Sequence, residues 1–167
     1  GVHFDEDYFA TSGPIVDYRY AANWNPTPKE KSHLGLRSFI KTLTKANGPH
    51  GQKFHYVSPN TDLLGWVVER ATGTKYSTVL SKLLWQPLGA EYPGYLTVDR
   101  SGAPRAAGGK CFAARDLARV GMLMCNNGAR GRTQIVPDSW IEDIFTGGNN
   151  KAWDSGDMAV DFPGKNI

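Results

Sequence analysis

The 167 residues carry a formal net charge of +3 and an ordinary 40% hydrophobic content, enough for the chain to bury a core of its own. The basic residues are scattered, which argues against a nucleic-acid footprint, and no apolar run is long enough to span a bilayer. The two cysteines, Cys111 and Cys125, have no metal-ligand spacing and read as free, largely buried thiols.

Residues 1–33 read as loop with short helical turns, because Gly13-Pro14, Asn25-Pro26 and Thr27-Pro28 break any long element. Asp5, Glu6 and Asp7 form an acidic knot beside Tyr8 that reads as solvated, without the further oxygen ligands a metal needs. The spacing of Leu34, Leu36, Phe39, Ile40 and Leu43 predicts an amphipathic helix over 34–45. Asn47 to Gly51 is a turn. Next comes a sharply punctuated helix. Ser58 reads as N-cap and Pro59 as first helical residue, Leu63, Leu64, Val67, Val68 and Ala71 make one apolar face, and Gly73 is the stop. Tyr56 lies just outside that N-terminus, where the helix dipole favours an anion.

A third helix is expected from about Lys75 to Trp85, with Tyr76, Val79, Leu80, Leu83 and Leu84 inward and Pro87 ending it. Residues 95–99 read as a strand pairing with one near 109–112. A fourth helix covers about Ala114 to Asn127, with Leu117, Val120, Leu123 and Met124 as core candidates and Gly128 as its stop. Residues 129–136 turn back, and Pro137 starts a short helix to Phe145. The stretch 147–167 reads as loop. There are no repeats and no linker, so residues 1–167 read as one domain, mainly α with a small β-hairpin.

The run Tyr56-Val57-Ser58-Pro59-Asn60-Thr61-Asp62, with the apolar helix ending in Glu69-Arg70 and Gly73, resembles the Tyr-x-Asn region of penicillin-recognising serine hydrolases. These include class C β-lactamases, DD-peptidases, family VIII esterases and 6-aminohexanoate-dimer (nylon oligomer) hydrolases, and the last group is the most similar. The likeness continues in the family's order. It runs back to Phe4-Asp5-Glu6-Asp7-Tyr8 and forward through Leu84 to Ala90, Thr97-Val98-Asp99, Gly108-Gly109, Ala114 to Gly121 and Ile135 to Trp140. The resemblance implies acyl transfer to serine on a small amide or ester substrate, without cofactor or metal. In the family a Ser-x-x-Lys supplies the nucleophile, and its lysine shares proton traffic with the tyrosine.

Carried over, Tyr56 is the proton-transfer residue, and Tyr8, Ser58 and Asn60 are candidate substrate contacts. Each also has a structural reading. Tyr8 fits an aromatic packed under a loop, Ser58 an N-cap, and Asn60 falls two residues beyond the Tyr-x-Asn spacing. Relatives often carry Thr or Ser where this chain has Ala113, so that cap is expected to be weak. Arg115 and Asp116 read as a structural salt bridge.

Ser38-Phe39-Ile40-Lys41 satisfies Ser-x-x-Lys but sits mid-helix, too close ahead of Tyr56, and reads as a decoy. His33-Leu34-Gly35 and His50-Gly51 precede Tyr56 and are decoys for the family's His-x-Gly motif. No Lys-Thr-Gly occurs. The chain is therefore expected to be an internal piece, the helical portion of the β-lactamase/DD-peptidase-like α/β fold, with the central sheet largely missing and inactive by itself. Faces that pack on that sheet would be covered by the rest of the parent hydrolase or by a self-partner. Three alternatives stay open: a β-lactamase or DD-peptidase segment, a non-catalytic binding module on the same scaffold, and a rearranged site with Ser38 as nucleophile.

Overall fold

The computed structural model describes residues 1–32 and 35–162. Its helices are α1 (Pro14–Ala21), α2 (Leu36–Ile40), α3 (Ser58–Thr72), α4 (Tyr76–Leu80), α5 (Ala114–Cys125), α6 (Asp138–Thr146) and α7 (Asn150–Asp154). Its strands are β1 (Tyr95–Leu96), β2 (Lys110–Cys111), β3 (Ala129–Arg130) and β4 (Thr133–Gln134). They form two separate ribbons, β1 with β2 and β3 with β4. Among the described residues there is no larger sheet, and no helix is long and apolar enough to cross a membrane. Contacts divide the chain into two units: residues 1–48, 57–77 and 95–110, and residues 49–56, 78–94 and 111–167.

The first unit is built on α1, α2 and α3. Pro14 occupies the start of α1, where its missing N–H costs nothing. Phe4, Ile15, Tyr18, Ala21, Ala22, Leu36, Phe39, Val57 and Ala103 form its core. Phe4 meets the rings of Tyr18 and Phe39 edge-on, at 5.7 and 6.1 Å between centroids, a geometry in which one ring's positive edge meets the other's negative face. Two buried carboxylates hold the loops. Asp99 accepts the backbone N–H groups of Leu36, Ser101 and Ala103, each at 2.8 Å, and so caps α2 from outside it. Asp62 accepts from the Tyr18 hydroxyl at 2.6 Å and from the Ala107 N–H at 2.8 Å.

The second unit uses the same device. Asp116, fully buried, accepts from the backbone N–H groups of Glu91 and Tyr92, each at 3.0 Å, and pairs with Arg119 at 2.5 Å. These donors hold its carboxyl below the ordinary carboxylate range. Trp85 stacks on Phe112 at 4.4 Å and donates its indole N–H to the Tyr92 carbonyl. Leu88, Leu123, Ile141, Ala152 and Trp153 are buried apolar residues of this unit.

Several expectations are corrected. The helix predicted over 34–45 is only α2; Leu34 lies outside the described residues. Thr42 folds its hydroxyl onto the Phe39 carbonyl, and Lys45 is drawn into a bridge with Val2. The N-cap position of α3 is Val57, not Ser58, because the capping group comes from Glu6. The apolar face of α3 is not its buried face. Pro59, Asp62 and Gly65 are buried, while Leu64 and Val67 are 61% and 51% exposed. The Asp62 hydrogen bonds turn that side inward. The expected helix 75–85 is α4 followed by a π-helical turn, Ser81–Trp85, closed by the Gln86 N–H on the Ser81 carbonyl; Leu83 points outward. In α5 Leu123 is buried but Leu117 is exposed. Asp116 pairs with Arg119 in place of Arg115, which faces Glu91 at 3.5 Å. The cysteines are free but exposed, Cys125 lying with Leu117, Gly121 and Met122 on the outer side of α5. The tail is not all loop, because Asn149 accepts from the Ala152 N–H at 3.1 Å and starts α7.

Candidate active site

Glu6 is the hub of the residues singled out in the first unit. Its carboxylate accepts the Ser58 N–H and the Ser58 hydroxyl, each at 2.5 Å, and also the Tyr8 hydroxyl. An anion at this point complements the unsatisfied N–H groups and the positive dipole end of α3. Arg19 donates to the Tyr8 carbonyl at 2.6 Å and lies 6.0 Å from the centre of its ring. Tyr8 and Ser58, 50 residues apart in sequence, thus meet on one carboxylate. Sequence reasoning placed Glu6 in a solvated acidic knot. Its partner lies 52 residues away, and no local pattern signals that bond.

Asn60 is used differently. Its Oδ1 accepts the Val2 N–H at 3.0 Å, which ties the N-terminal segment to α3. Ser38 is exposed in the middle of the short helix α2, and the Lys41 ammonium of the same Ser-x-x-Lys lies 5.8 Å from the centre of the Trp66 ring. Beneath, burial and the neighbouring Asp62 raise the Tyr18 phenol far above the ordinary tyrosine value, while burial lowers the Lys110 ammonium.

Tyr56 closes the 49–56 segment of the second unit, one residue before the N-cap position of α3, and is 43% exposed. The segment leading to it is held by residues 149–157. Phe54 N–H donates to the Ala152 carbonyl at 2.8 Å, and its ring packs on Trp153 at 4.9 Å. His55 Nδ1 meets Asp157 Oδ2 at 2.5 Å. Among the described residues no group of three or more His, Cys, Asp or Glu side chains is placed to hold a metal ion.

The sequence matches the Beta-lactamase family model over residues 16–162. It is 35% identical over 162 residues to the 6-aminohexanoate-dimer hydrolase of Paenarthrobacter ureafaciens, covering 97% of this chain and 41% of that protein. The structure is similar, with a TM-score of 0.78 and 25% identity, to a Bacillus anthracis protein provisionally described as a 6-aminohexanoate-dimer hydrolase, covering 93% of this chain and 41% of that one. The chain thus spans about two fifths of the length of these relatives. Its helices and small ribbons correspond to a helical portion of the β-lactamase-like fold. By sequence and by fold, the chain belongs to the β-lactamase family of hydrolases.

Proposed function

We propose that the protein carrying these residues is a serine hydrolase that cleaves small linear amides or esters through an acyl-enzyme. Tyr56 moves the proton, and Tyr8 and Ser58 touch the substrate. The supporting observation is the place of Tyr56: an exposed phenol one residue ahead of the N-cap of α3, in a chain 35% identical to a 6-aminohexanoate-dimer hydrolase. In this reading the nucleophile is a serine outside residues 1–167, since Ser38 sits mid-helix and its lysine turns to Trp66.

The chemistry follows from the groups present. A serine hydroxyl needs a base within hydrogen-bond reach to become a nucleophile. A tyrosinate can take that proton and return it to the leaving group. The hydroxyls of Tyr8 and Ser58 both donate their hydrogen bonds to the Glu6 carboxylate. Toward a substrate both oxygens therefore act as acceptors, a fit for the N–H of an amide. Asn60 is read as a support for this segment, holding Val2, with any substrate contact secondary. The exposed Leu64 and Val67 of α3 are read as a face covered by the rest of the protein.

The test is kinetic. In the full-length protein, Tyr56→Phe should lower kcat on a linear amide dimer by roughly 100-fold or more, the scale of a lost general acid–base. An unchanged kcat would remove Tyr56 from the mechanism.

A further inference from the structure

We propose that the 149–157 segment is a latch that sets the position of Tyr56, with Asp157 as a positioning residue acting through His55. This rests on the reading of Tyr56 as the proton-transfer residue. Residues 51–56 have no helix or strand of their own to fix them, yet a catalytic phenol must be held in place closely, because small misplacements cost large factors in rate.

The latch supplies what regular structure does not, and it does so residue by residue. The Asn149 side-chain amide donates to the Gly51 carbonyl at 3.0 Å. The Ser155 hydroxyl donates to the Gln52 carbonyl at 3.1 Å. The Phe54 N–H donates to the Ala152 carbonyl at 2.8 Å, while its ring lies 4.9 Å from Trp153. His55, the immediate neighbour of Tyr56, meets Asp157 at 2.5 Å. Backbone, ring and imidazole are thus gripped in order as the chain approaches Tyr56.

Gly156 reports how close the grip is. A Cβ at this position would lie 2.6 Å from the Phe54 carbonyl oxygen and 2.9 Å from its Cβ. No side chain larger than hydrogen fits without moving Phe54. The latch has anchors of its own: Asn149 caps α7, and Ala152 and Trp153 are buried. Its function as a positioning element would explain why a helix of only five residues is anchored to a segment about 100 positions earlier.

The experiment compares Asp157→Asn, Gly156→Ala and Tyr56→Phe in the full-length protein, reading kcat and KM on a linear amide together with amide hydrogen exchange. Asp157→Asn should lower kcat roughly ten- to a hundredfold, leave KM within about twofold, and speed exchange over residues 51–56 only. Gly156→Ala should act in the same direction and serves if Asp157→Asn does not fold. Wild-type kcat in both latch variants, with Tyr56→Phe inactive, would overturn the positioning role and leave the Tyr56 reading standing. Full activity of Tyr56→Phe would sink that reading instead. Exchange would then decide the latch alone: faster exchange confined to 51–56 supports it, and exchange unchanged or raised throughout the chain overturns it.

Discussion

The Tyr18 hydroxyl donates to Asp62 Oδ2 at 2.6 Å inside the first unit, where both residues are almost fully buried. Asp62 also accepts the Ala107 N–H, so one carboxylate joins α1, α3 and the loop before β2. Removing the hydroxyl leaves a buried carboxylate oxygen without its donor. Tyr18→Phe should therefore cost about 1–3 kcal/mol, read as a lower urea midpoint. Burial and Asp62 keep the phenol protonated far above its ordinary range, whereas the unfolded chain releases that proton near pH 10 or so. Above that pH the unfolded state binds fewer protons, so stability should fall as pH rises through about 10. Tyr18→Phe should flatten this alkaline slope; an identical slope would contradict the assignment.

Asp116 works with the opposite sign. Its carboxyl is held low by the N–H groups of Glu91 and Tyr92 and by Arg119. Its contribution is present above the ordinary carboxylate value and is lost as pH falls through the lower, folded one. In Asp116→Asn one acceptor becomes a donor that faces another donor. Its thermal midpoint should be lower at pH 7 and should change less than that of the wild type below about pH 4. Equal acid sensitivity in the two proteins would remove Asp116 from the account.

Glu6 gives the third prediction. Glu6→Ala strips α3 of the carboxylate that receives the Ser58 N–H and hydroxyl. The expected loss is about 1 kcal/mol, the usual scale of a missing helix cap, seen as a lower midpoint in circular dichroism. Ser58→Ala should give part of this loss, and the double variant less than the sum of the two, because one interaction is removed twice.

These carboxylates also explain how far the sequence could be read. The position of α3 followed local punctuation, with Pro59 near its start and Gly73 in a left-handed conformation, φ 63°, at its end; the eight-residue α1 did not, because Gly13-Pro14 reads as a break in the chain and instead begins the helix. The β1–β2 ribbon was as legible as the position of α3. Which face of α3 turns inward was not. Its apolar periodicity favours Leu64 and Val67, but Asp62 decides the orientation through partners 44 and 45 residues away. The Glu6–Ser58 bond and the His55–Asp157 pair, 52 and 102 residues apart, are likewise long-range polar contacts that leave no local period.

The cysteines provide a simple chemical check. Both Cys111 and Cys125 are free and exposed, contrary to the burial their residue type suggests. Native protein treated with a thiol-reactive dye should label both cysteines without denaturant. Labelling only after unfolding would show that these surfaces are covered.

The most direct measurement is covalent labelling of the full-length protein with a fluorophosphonate, with the adduct located by peptide mass spectrometry. A single modified serine outside residues 1–167 is expected, with much slower labelling in Tyr56→Phe, because the same phenol activates that serine. An adduct on Ser38, or labelling at the wild-type rate without the Tyr56 hydroxyl, would contradict it.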